Sequence, residues 1–129
     1  DIKRPGRDIT IIASSYMVLQ SLAAAEKLAA EGIQAEVLDL RTLKPLDMET
    51  IATSVVKTRR LLVVNEGVRT CGYAAEIVAR VYEELFDELD APIRRLTSED
   101  VPIPYNGTLE ARALPNESSI FQAALSFFR

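Results

Sequence analysis

Ile9-Thr10-Ile11-Ile12-Ala13-Ser14-Ser15-Tyr16 is a short β-branched run that breaks into two serines, and the fold unrolls from it. Five apolar or β-branched residues suit a buried strand and are too few for a helix. Either serine is a good helix cap. From Tyr16 onward, Val18, Leu22, Ala25 and Ala29 recur at helical spacing, and Gly32 reads as the C-terminal cap. Ala35 to Leu40 is then a second strand. A strand, a helix and a second strand in succession make the unit of a parallel sheet.

The pattern continues outward. Asp47 caps a second helix running to about Thr58, with Leu46 and Ile51 at the two positions of a hydrophobic staple. Leu61 to Val64 is a third strand. The third helix carries the clearest stripe: Ala74, Ile77, Val78, Val81, Tyr82, Leu85 and Leu89 fall on one side, and Glu76, Arg80, Glu83, Glu84 and Asp87 on the other. Pro92 helps end it, and Ile93 to Leu96 is a further strand. Val101 to Tyr105 holds two prolines and so reads as an extended surface segment. Asn116 caps a last helix whose Ile120, Phe121, Ala124, Leu125 and Phe128 face inward. Right-handed crossovers then give one α/β/α three-layer domain over residues 1–129, with a mostly parallel sheet.

Composition narrows the function classes. The chain has 129 residues, one cysteine, no histidine and no tryptophan. One cysteine excludes an internal disulfide, and the absence of histidine removes the commonest side chain for acid–base work near neutral pH. The net charge of −4 speaks against a nucleic-acid-binding domain. No apolar run approaches a membrane span. The chain starts at Asp1 and enters a strand pattern within ten residues, as the C-terminal piece of a longer polypeptide would, and as a mature protein trimmed at its start would too.

Ligands of such sheets sit beyond the carboxyl ends of the strands. Ser14-Ser15, Arg41 to Lys44 and Asn65-Glu66-Gly67 are the loops expected there. Ser15 is a crevice candidate because the helix after it offers free amides to an anion; helix capping is the plainer role. Glu66 is the other: it is either a functional carboxylate or a partner for loop amides and Arg69. Cys71 has no histidine to activate it. The four tyrosines read as packing residues, and no complete catalytic, cofactor-binding or metal-binding set is present. Glu83, Glu84, Asp87, Glu88 and Asp90 crowd into one stretch with no base among them. They form either a solvated helix face or a docking patch for a basic partner.

Particular strings resemble a known family. Asp39-Leu40-Arg41-Thr42-Leu43-Lys44-Pro45-Leu46-Asp47 is similar to a signature of transketolase C-terminal domains. More narrowly, it resembles the beta subunit of the thiamine-diphosphate-dependent decarboxylase of 2-oxo acid dehydrogenase complexes. Val63 to Gly67, Gly72 through Ile77, Leu89 to Pro92, Asp100 to Tyr105 and Leu114-Pro115 fit that subunit in order.

The resemblance implies five strands in the order 1-3-2-4-5, with Ile2 to Arg4 as an antiparallel edge strand. It implies an oxidoreductase, a heterotetramer of alpha and beta subunits, that decarboxylates pyruvate or a similar substrate and passes the acyl group to lipoamide. Acetoin dehydrogenase, transketolase and deoxyxylulose-phosphate synthase are alternatives within the superfamily, and a stand-alone binding module is the alternative outside it. Thiamine diphosphate and Mg2+ would bind outside this segment, which would itself be a non-catalytic scaffold. Its partners would be the alpha subunit, a second beta subunit and the binding domain of the dihydrolipoyl acyltransferase, with no nucleic acid and no membrane. The location implied is the bacterial cytoplasm, with the mitochondrial matrix as the alternative. By the same match Asp90 would be the central acyltransferase contact, with Glu88 and Phe128 beside it. Self-association is expected around Val101 to Tyr105 and Phe121, Phe127 and Phe128.

Overall fold

The computed structural model describes residues 1–14, 16–40, 46–68, 74–98 and 115–129, with backbone alone at 66–68 and 98. The elements are β1 (Ile2–Arg4), β2 (Ile9–Ala13), α1 (Tyr16–Ala30), β3 (Ala35–Asp39), α2 (Met48–Thr58), β4 (Leu61–Val68), α3 (Ala74–Leu85), a 3₁₀ turn (Phe86–Glu88), β5 (Arg94–Ser98) and α4 (Glu117–Leu125). The sheet order is β1-β3-β2-β4-β5. β1 pairs antiparallel with β3, and every other pairing is parallel. Fold class, strand order and edge strand all match the expectation.

β2 is buried along its whole length because helices cover both faces. The alternation of side chains divides the core in two. Ile9, Ile11, Ala35, Val37, Leu62 and Val64 point at α1 and α4. Ile12, Leu38, Leu61 and Val63 point at α2 and α3. Four buried polar side chains share the second side: Thr10, Glu36, Ser54 and Thr58. Thr10 lies 2.7 Å from the Ser54 hydroxyl and 2.6 Å from that of Thr58. Glu36, 1% exposed, accepts from the Gly6 amide at 3.1 Å and forms an ion pair with Lys57. Burial pushes the Glu36 pKa up; the hydrogen bonds from Lys57, Ser54 and Gly6 and the Lys57 charge outweigh it, leaving the carboxyl below its ordinary value.

The helix ends follow local chemistry. α1 closes with Gly32 at φ +83°, where the Gly32 amide donates to Ala29 and the Ile33 amide to Leu28. This is the paired arrangement of a Schellman end, with Ile33 and Leu28 both in the core. Asp47 caps α2 by accepting from the Thr50 amide at 3.1 Å and its hydroxyl at 2.7 Å. Asn116 and Ser119 form a reciprocal capping box on α4.

Several boundaries move. β4 continues to Val68 instead of ending at Val64, because Val68 pairs with Ser98 across an irregular register. Glu66 therefore belongs to a strand and not a loop; its side chain lies outside the described residues. α3 stops at Leu85 and tightens into the 3₁₀ turn, so Leu89 reaches the core from extended backbone rather than from the helix stripe. Tyr16 is 56% exposed, contrary to a packing role, and its hydroxyl accepts from Gln20. Ser15, Arg41 to Lys44, Cys71, Tyr73 and Val101 to Tyr105 lie outside the described residues.

Candidate functional site

The two ends of the sheet differ in what they offer. At the carboxyl end, Leu38, Asp39, Leu40, Asp47, Thr50, Ile51 and Asp1 line a hollow of about 150 Å³. Ligand sites usually take several hundred cubic ångströms. Three carboxylates border the hollow, a poor surround for an anion. Asp47 is already committed: the Thr50 hydroxyl and then its amide hold the Asp47 carboxyl below its usual pKa. Among the described residues, no group of three or more His, Cys, Asp or Glu side chains is placed to hold a metal ion.

At the amino end, side chains from four elements converge. α2 ends at Arg59, whose backbone is left-handed at φ +63°. Its Nε donates to Asp90 Oδ1 at 3.0 Å and its Nη1 to Glu88 Oε2 at 3.1 Å. The Asp90 amide in turn donates to the Arg59 carbonyl at 2.8 Å. The hydrogen bond and charge of Asp90, with the charge of Glu88 behind them, push the Arg59 pKa further up. Both carboxylates keep contact with solvent, at 41% exposure for Glu88 and 47% for Asp90.

The next residue works on the opposite side of the sheet. Arg60 Nη1 donates to the Asp8 carbonyl at 3.2 Å, and its guanidinium lies 4.6 Å from the Phe128 ring centroid. Arg94, the first residue of β5, lies 5.6 Å from the Phe127 ring. These are cation–π distances. Phe121, Phe127 and Phe128 pack against the α1 and α4 core. They are partly buried there, and the Val101 to Tyr105 part of the surface expected to self-associate lies outside the described residues. Phe86 is the most exposed large apolar residue described, at 66%. It borders a groove of about 410 Å³ with Tyr82, Asp87, Leu89, Asp90 and Pro92. The Tyr82 hydroxyl accepts from the Ile93 amide at 2.9 Å, which fixes one wall.

Asp90, Glu88 and Phe128 thus share one end of the sheet, with the two acids on the α2–α3 side and the phenylalanine on the α1–α4 side. Of the two crevice candidates, Glu66 has its backbone in β4, toward the carboxyl end of that strand, and Ser15 lies outside the described residues. The acids do have a base, which the sequence reading missed because Arg59 lies about thirty positions away. Its one local signal was an arginine immediately past a helix end, where glycine is favoured.

Residues 1–120 match the family model for the transketolase C-terminal domain. Over 123 residues the chain is 52% identical to the mitochondrial pyruvate dehydrogenase E1 component subunit beta-1 of Arabidopsis thaliana, covering 95% of this chain and 34% of that one. It is 50% identical over 125 residues to the mitochondrial subunit beta of Drosophila melanogaster, covering 96% of this chain and 34% of that protein. Among solved structures, a split gene transketolase described as an inactive beta4 tetramer superposes with a TM-score of 0.83 at 27% identity. That match covers all of this chain and 42% of the other. The chain spans about a third of the length of the curated relatives it matches. It belongs to the transketolase C-terminal domain family.

Proposed function

We propose that the chain is the C-terminal domain of the beta subunit of a pyruvate dehydrogenase decarboxylase component. The observation that carries this reading is identity of about half over nearly the whole chain to subunits of that name. In the assembled enzyme, an alpha subunit and a second beta subunit complete the tetramer. Thiamine diphosphate with Mg2+ supplies the electron sink for decarboxylation. The described residues do not fit that group: the acids at the carboxyl end oppose a diphosphate, and no metal-ligating cluster is described. In this proposal the work of the domain is to pack against the other subunits and to present a surface. The cytoplasmic placement belongs to the same proposal, beside relatives that are mitochondrial by name.

The surface is the amino end. Asp90, with Glu88 and the Phe128 turn beside it, receives the basic binding domain of the dihydrolipoyl acyltransferase. Half-exposed carboxylates held at fixed positions suit a cationic partner, chiefly by speeding encounter and setting register. Asp90→Asn in the assembled enzyme, measured by surface plasmon resonance against that isolated domain, is expected to weaken capture about tenfold at low salt. The difference should shrink as salt rises. Equal affinity of variant and wild type at both salt concentrations overturns the docking reading.

A further inference from the structure

Arg59 is costly where it stands. A side chain at φ +63° is strained, and glycine would end α2 without that strain, as Gly32 does for α1. The structure shows what the arginine does there. Its planar fork takes one oxygen of Asp90 and one of Glu88, and its carbonyl takes the Asp90 amide. One residue thereby sets the position of two carboxylates that sit on an irregular turn and would otherwise repel each other. A lysine in its place would be a point charge without the fork. Arg60, joined to it by one peptide bond, holds Phe128 on the opposite side of the sheet.

We propose that Arg59 is the positioning residue of the docking surface. It presents Asp90 and Glu88 to a cationic partner at a fixed spacing and leaves Asp90 Oδ2 and Glu88 Oε1 to that partner. The inference rests on the docking reading above. It separates two effects that charge alone would merge. Removing Arg59 makes the patch more negative, which favours encounter; it also frees the two carboxylates, which weakens the bound state.

The test uses the assembled enzyme with a full-length beta subunit and the isolated basic binding domain of the acyltransferase as probe. Arg59→Gly removes the fork and relaxes the backbone; Arg59→Lys keeps the charge without the fork. Both are expected to dissociate about fivefold faster or more, with association at low salt unchanged or up to about twofold faster for Arg59→Gly. Dissociation within about twofold of wild type for both variants, while Asp90→Asn still loses binding, overturns the positioning role and spares the docking reading. Slower dissociation of Arg59→Gly makes Arg59 a competitor and also overturns it. If Asp90→Asn binds as wild type, the docking reading itself has failed. Should Arg59→Gly not assemble, Arg59→Lys decides by the same rates.

Discussion

Two basic side chains leave the end of α2 two residues apart, and their ion pairs differ in kind. Lys57 reaches Glu36 beneath the sheet, where the carboxylate is 1% exposed and the Gly6 amide shares its oxygen. Arg59 reaches Glu88 and Asp90 at the rim, where both carboxylates are nearly half exposed. The difference teaches that pairing alone says little about purpose. A buried carboxylate without its partner carries a large desolvation penalty, so the first pair is demanded by the fold. Exposed pairs contribute little to stability, so the second is free to serve recognition. The strained backbone at Arg59 points the same way.

The hardest blow to the buried pair comes from Gly6→Ala. An added Cβ would stand 2.4 Å from the Ala35 carbonyl carbon and 2.6 Å from the carbonyl oxygens of Ala35 and Gln34. Backbone cannot retreat as a flexible side chain does, so the loop carrying the Glu36 donor must move. A loss of about 3 kcal/mol in chemical denaturation is expected. A change within error would show that the loop is not held against β3.

Lys57→Ala tests the same pair from the other side and is expected to cost about 2 kcal/mol, since Gly6 and Ser54 still hold the carboxylate. The pH dependence follows with a definite sign. The folded pKa of Glu36 lies below its ordinary 4.5. Its contribution is therefore fully present above that value and is lost as pH falls through the lower folded pKa. Wild type should shed stability below about pH 4.5, and Lys57→Ala should already have lost part of it at neutral pH. Parallel acid-unfolding curves would contradict this.

The start of α2 offers a milder contrast with its end. Asp47 is exposed and binds only within its own first turn, so Asp47→Ala should lower the thermal midpoint measurably while leaving docking untouched. An unchanged midpoint would mean the cap contributes nothing. Arg59→Gly, the rim counterpart, should move that midpoint least of all, because relief of the left-handed strain offsets the lost exposed pairs. A large fall would make the rim pair structural and erase the distinction between the two.

Legibility in the sequence tracked the range of the interactions involved. The Asp47 and Asn116 caps, the Gly32 closure and the apolar stripe of α3 were readable because each depends on residues three or four apart. The candidate site was half readable. Asp90, Glu88 and Phe128 came from a resemblance, but nothing local showed that Arg59 pairs the two acids or that Arg60 lies over the phenylalanine.

By itself the sequence determined the alternation of strand and helix, the caps at Gly32, Asp47 and Asn116 and the burial of β2, since periodicity and caps are written in neighbouring residues. Only the tertiary structure decided which charges meet. The sheet crossovers bring Lys57 to Glu36 and Arg59 to Glu88 and Asp90 across gaps of 21, 29 and 31 positions. They also carry β4 on to Val68, past where its apolar run ends, because a neighbouring strand is there to receive its hydrogen bonds. Local pattern cannot encode such meetings, because each depends on where another segment has already packed.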